Sequence, residues 1–69
     1  MIKIRNHNGK IICYADPDNG AVEIKYKNIK QKVIMVPGQK LGFESDDGYI
    51  TVLEYEEPGR MFSNTYKNI

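Results

Sequence analysis

One cysteine and one histidine are all the thiol and imidazole chemistry in this 69-residue chain. Cys13 alone closes no internal disulfide, and with only His7 beside it no structural zinc site assembles. Tryptophan is absent, and two arginines, Arg5 and Arg60, leave few planar forks for bidentate contact with carboxylate or phosphate. No run approaches the ~20 apolar residues of a membrane-spanning helix. The N-terminus lacks the apolar stretch of a signal peptide, so a cytoplasmic location without membrane contact is expected. A large excess of one charge is missing too. The net charge is +1, unlike the strongly basic balance usual in nucleic-acid-binding domains.

The chain is rich in turn signals. Asn8-Gly9, Asn19-Gly20, Pro37-Gly38, Asp47-Gly48 and Pro58-Gly59 follow one another at intervals of 11, 18, 10 and 11 residues, and Asn28 stands midway across the long gap. Between them lie runs of β-branched and aromatic residues, the pattern of a small all-β protein. We expect an antiparallel meander of five or six short strands over 1–57, closing into a barrel or sandwich. The C-terminal segment, 58–69, is expected to be a docking tail. Its Phe62, Tyr66 and Ile69 fall on one side of a short helix, yet Ser63, Asn64, Thr65 and Asn68 are poor helix formers. The tail therefore reads as a helical turn or as an extended arm.

The face pattern of the strands carries the functional argument. Ala21–Lys27 alternates cleanly, with Val22, Ile24 and Tyr26 against Glu23, Lys25 and Lys27. Three other runs are apolar on both faces: Lys10–Ala15, Gln31–Val36 and Tyr49–Glu56. A sheet with one covered face keeps polar residues on the other. Each large apolar side chain that is fully buried contributes about 1.5–3 kcal/mol. Leaving Ile12, Ile34, Val36, Ile50 and Val52 in water would therefore forfeit an amount comparable to the whole stability of a small domain. A chain this short buries only about 60% of its unfolded surface, so oligomerisation is the available reinforcement.

Charge divides along the chain. Residues 1–40 hold eight Lys/Arg against three Asp/Glu, and residues 41–69 hold two against six. The simplest expectation is neutralisation between facing strands; the alternative is a dipolar molecule that steers association.

No catalytic or metal-binding signature emerges. His7 sits in a turn and Cys13 in a strand. Asp16-Pro17-Asp18-Asn19-Gly20 departs from a calcium loop because its glycine comes one residue early and Lys27 stands where the bidentate Glu belongs. The acidic groups Glu44/Asp46/Asp47 and Glu54/Glu56/Glu57 read as solvated turns and strand ends.

These observations lead us to expect a non-enzymatic protein-binding module without cofactor or metal. It is expected to be homo-oligomeric, with an interface of Ile34, Val36, Ile50, Val52, Phe62, Tyr66 and Ile69. Ile, Lys and Asn supply 23 of the 69 residues. Their A/T-rich codons fit a phage or mobile element, and hence an inhibitor of a host defence protein. The alternative is an SH3-like or OB-like domain binding nucleic acid through Lys25, Lys27, Lys30 and Lys32. A small charged ligand held at a subunit boundary is a third class.

Overall fold

All five turn dipeptides bend as expected, their glycines taking φ between 72° and 93°. The computed structural model describes residues 1–67, with all their side chains except that of Tyr26. Seven strands result: β1 (Ile2–Arg5), β2 (Ile11–Asp16), β3 (Ala21–Tyr26), β4 (Ile29–Ile34), β5 (Lys40–Glu44), β6 (Tyr49–Glu57) and β7 (Arg60–Lys67). They form two antiparallel sheets in sequential order, β1-β2-β3-β4 and β5-β6-β7. The all-β, antiparallel expectation holds, but with seven strands where five or six were expected, because the C-terminal segment supplies an additional strand, β7. The barrel does not hold: β4 and β5 belong to different sheets, so the strands never close on themselves.

Two boundaries differ from the sequence expectation, each for a physical reason. The bend between β3 and β4 is a tight turn at Lys27 and Asn28, with Lys27 in the left-handed region at φ 55°. No glycine announces it, and β4 starts two residues earlier than the pattern predicts. The C-terminal segment is a strand, not a helical turn. Residues four apart share a face in an extended strand as well as on a helix; Ser63 and Asn64 are weak in a helix interior, Thr65 suits a strand, and pairing with β6 decides the outcome. Phe62 and Tyr66 therefore do lie on one side, but of β7. Ile69 lies outside the described residues.

The core lies between the sheets. Ile4, Cys13, Ala15 and Val22 from the first sheet meet Met35, Leu53 and Tyr55, with Leu41, Phe43 and Met61 packed against them. Register sets this inward face: Ile4 pairs with Cys13, Ala15 with Val22, and Val22 with Val33. In the second sheet Leu41 pairs with Leu53, and Tyr55 with Met61. The shift between Ile4 and Arg5 leaves Ile12 as an extra residue on β2, and such a bulge bends the strand locally.

At one end a backbone bond ties the two layers together: Gly59 N in the β6–β7 turn donates to Pro17 O in the β2–β3 turn at 2.9 Å. Beside it the ladders run on past the strand ends, with Met35 N donating to Gly20 O at 2.8 Å alongside β3–β4, and Gly38 N to Tyr55 O at 2.7 Å and Tyr55 N to Gln39 O at 3.0 Å alongside β5–β6. Gly20 is where glycine is required. Its φ is +72°, and a Cβ there would meet Met35 O at 2.5 Å and the Tyr55 ring at 2.6 Å.

Candidate functional site

Sorting side chains by register gives each sheet one covered and one open face. On the open face of β5-β6-β7 three cross-strand ranks are visible: Glu44–Ile50–Tyr66, Gly42–Val52–Asn64 and Lys40–Glu54–Phe62. Ile50, Val52, Phe62 and Tyr66 thus come together on one surface, although they are drawn from separate sequence runs. Tyr66 is 55% exposed and Phe62 39%, while Ile50 and Val52 are half-buried. Gly42 makes room beside them, because Ile50 Cδ1 lies 3.0 Å from where a Cβ would stand. Lys40 and Glu54 flank the patch with an ion pair of 3.2 Å.

Ile34 and Val36 do not join that surface. Ile34 sits on the outer face of the first sheet, paired with Ala21, and Val36 lies in the crossover between sheets. They are 62% and 54% exposed, so the described residues leave them largely uncovered. The two-faced strands of the sequence therefore remain partly wet in the isolated chain.

The outer face of β1-β2-β3-β4 is of another kind. Lys3 pairs with Tyr14, Tyr14 with Glu23 and Glu23 with Lys32, and Lys25 pairs with Lys30. Of the four lysines expected for nucleic acid, Lys25, Lys30 and Lys32 share this face, and Lys27 is in the adjoining turn. Two further members, Lys3 and Tyr14, come from strands that the sequence reading left out, since their proximity depends on strand pairing. Lys25 Nζ lies 5.2 Å from the centre of the Tyr14 ring, within reach of a cation–π attraction. Lys30 and Glu23 form an ion pair of 3.4 Å.

Charge is separated by layer. The first sheet with its turns, residues 2–34, carries seven Lys/Arg against three Asp/Glu; the second, residues 40–67, carries three against six. Neutralisation between facing strands occurs within each sheet, at Glu23–Lys30, Lys40–Glu54 and Arg60 with Glu56 and Glu57, yet each layer keeps a net charge of its own sign.

Two features remain. His7, in the β1–β2 turn, donates from Nε2 to Asp47 Oδ2 in the β5–β6 turn at 2.7 Å and stacks on Tyr49 with ring centres 4.0 Å apart. The Asp47 carboxyl pKa is lowered from its ordinary value, chiefly by the His7 hydrogen bond, with smaller contributions from the nearby Ser45 and Asn8. The hydroxyl of Ser45 donates to Tyr49 O at 3.1 Å and is not set up for activation by the imidazole. An open groove of about 310 Å³ is lined by Ile11, Ile12, Ile24 and Phe43 together with Lys10, Lys25 and Glu44. Cys13 is buried, and burial raises its thiol pKa to about 11, so it is no ready nucleophile. Among the described residues no group of three or more His, Cys, Asp or Glu is placed to hold a metal ion. The chain matches no protein-family model, no curated protein and no solved structure.

Proposed function

We propose that this protein is a non-enzymatic protein-binding module that associates with itself, using the outer face of β5-β6-β7 as its contact surface. One observation carries the reading: Ile50, Val52, Phe62 and Tyr66 share an open sheet face of a chain whose core is already complete behind it. Covering side chains that are half-wet contributes about 1 kcal/mol each, and clustered apolar surface is the usual mark of a contact site. The chemistry agrees with this, because the one imidazole–carboxylate pair lies on exposed turns, with the neighbouring Ser45 hydroxyl donating to the Tyr49 carbonyl. Inhibition of a host protein is one form such binding would take, and codon bias is what suggests it.

Size-exclusion chromatography with light scattering tests the reading. The wild type is expected to run heavier than its 7.9 kDa chain mass. Val52→Lys and Phe62→Glu are expected to run as monomers with an unchanged β-type circular dichroism spectrum. A wild type that is monomeric at every concentration overturns self-association.

A second reading has its own observation. Lys3, Tyr14, Lys25, Lys30 and Lys32 on one sheet face suit a single strand of nucleic acid, which binds through phosphate contacts and stacking. Against it, Glu23 occupies the middle of that face and already engages Lys30, and the whole chain is nearly neutral.

A further inference from the structure

We infer that the surface which receives the open face of β5-β6-β7 is the basic open face of β1-β2-β3-β4 on a second copy of this chain, so that copies stack head to tail. The inference rests on the self-association reading above and specifies its partner surface.

The open face of the second sheet carries Glu44 and Glu54 around its apolar residues, with Lys40 as its one cation in the three ranks. The opposite face carries Lys3, Lys25, Lys30 and Lys32, with Glu23 among them. Pairing the second sheet's face with itself sets Glu44 and Glu54, with the Glu56/Glu57 end of β6, against a face whose cations, Lys40 and Arg60, already engage its own glutamates. Like charges set opposite each other are unfavourable. Pairing it with the other face brings the two glutamates to the lysines. Apolar contact is kept in that arrangement, because Tyr14 and the exposed Ile34 lie on the basic face and lysine stems cover apolar surface while their heads stay wet.

Size agrees. The chain measures 31 × 28 × 16 Å between Cα extremes, and two sheets packed face to face account for the thin dimension. The broad sides are then each comparable to the ~800 Å² per partner of a stable contact. Both complementary faces are present on every copy and point in opposite directions. Such a contact is heterologous, and stacking through a thin slab repeats without closing. The charge left over on each layer acquires a role in this arrangement.

Two charge-altered variants test the geometry. Lys30→Glu with Lys32→Glu spoils only the basic face; Glu44→Lys with Phe62→Lys spoils only the other. Each alone is expected to sediment as a monomer, while an equimolar mixture forms a dimer through the one intact face on each. That dimer also shows that both variants fold. Wild-type stacks are expected to lengthen with concentration and to weaken several-fold as salt screens the contact. If the Lys30/Lys32 variant alone still dimerises like the wild type, the head-to-tail contact is overturned while self-association stands. A mixture that remains monomeric overturns it too. If the wild type itself never associates, both readings fall. If the lysine changes leave assembly intact but abolish binding of a labelled single-stranded oligonucleotide, the basic face belongs to nucleic acid and the stacking proposal is wrong.

Discussion

His7 and Asp47, forty residues apart in sequence, meet across the two sheets: the imidazole Nε2 donates to the carboxylate at 2.7 Å. The contact ties the β1–β2 turn to the β5–β6 turn, at the end of the layers away from the Gly59–Pro17 backbone bond. Asp47 also accepts from Asn8 Nδ2 at 3.4 Å. Among the described residues this is the ion pair that joins one sheet to the other; those of Lys30, Lys40 and Arg60 stay within a sheet.

A pH dependence follows from it. The Asp47 carboxyl lies below its ordinary value of 3.8, with the His7 hydrogen bond the leading cause. A group whose folded value is depressed adds stability above its unfolded value, and that stability is lost as pH falls through the folded value. Asp47→Asn is therefore expected to melt below the wild type at pH 7. The gap should close as the pH is taken well below 3.8. Thermal melts of both proteins across that range check it. The effect is expected to be small, because exposed pairs contribute little.

Two glycine substitutions separate backbone cost from crowding. Gly9 and Gly20 both have positive φ, but a Cβ on Gly9 would meet nothing within 4 Å. Gly9→Ala is expected to cost about 1–2 kcal/mol for the left-handed backbone alone. Gly20→Ala adds collision with Met35 O and the Tyr55 ring, about a further 1–3 kcal/mol. Urea titration of the two variants gives the comparison.

Leu53, with none of its surface exposed, is the centre of the core. Leu53→Ala is expected to destabilise by about 2–5 kcal/mol, a large part of what a small domain possesses. Ile29→Ala, at a side chain that is 70% exposed, is expected to stay within about 0.5 kcal/mol of the wild type. Urea unfolding midpoints, read by circular dichroism, separate the two.

Cys13 provides a probe of opening. Its thiol is buried, and the raised pKa of about 11 leaves almost no thiolate near pH 8. A disulfide reagent is expected to label it slowly in the native protein and rapidly in denaturant. Fast labelling of the native chain would contradict the placement of Cys13 in the core.

Much of this architecture was legible in the chain. Asn-Gly, Pro-Gly and Asp-Gly mark five of the turns because each pairs a corner-forming residue with one that tolerates positive φ. Three things were not legible. The Lys27-Asn28 turn uses a non-glycine in left-handed geometry, which the residue types do not announce. In β7, the spacing of Phe62 and Tyr66 satisfies both a helix and a strand, so only pairing with β6 decides between them. The partition into two sheets depends on where the chain crosses at Met35–Gln39, and with it come the layered charge, the Tyr14 position and the His7–Asp47 contact. Of the candidate interface, Ile50, Val52, Phe62 and Tyr66 proved to share a face because their strands are neighbours. Ile34 and Val36 were drawn to the other sheet and the crossover.

Sedimentation velocity of the wild-type protein, diluted through the micromolar range, bears most directly on whether these uncovered side chains await a companion. Our account predicts a weighted sedimentation coefficient that climbs with concentration, above that of a 7.9 kDa particle. One sharp boundary at the single-chain value, unmoved across the whole series, would contradict it.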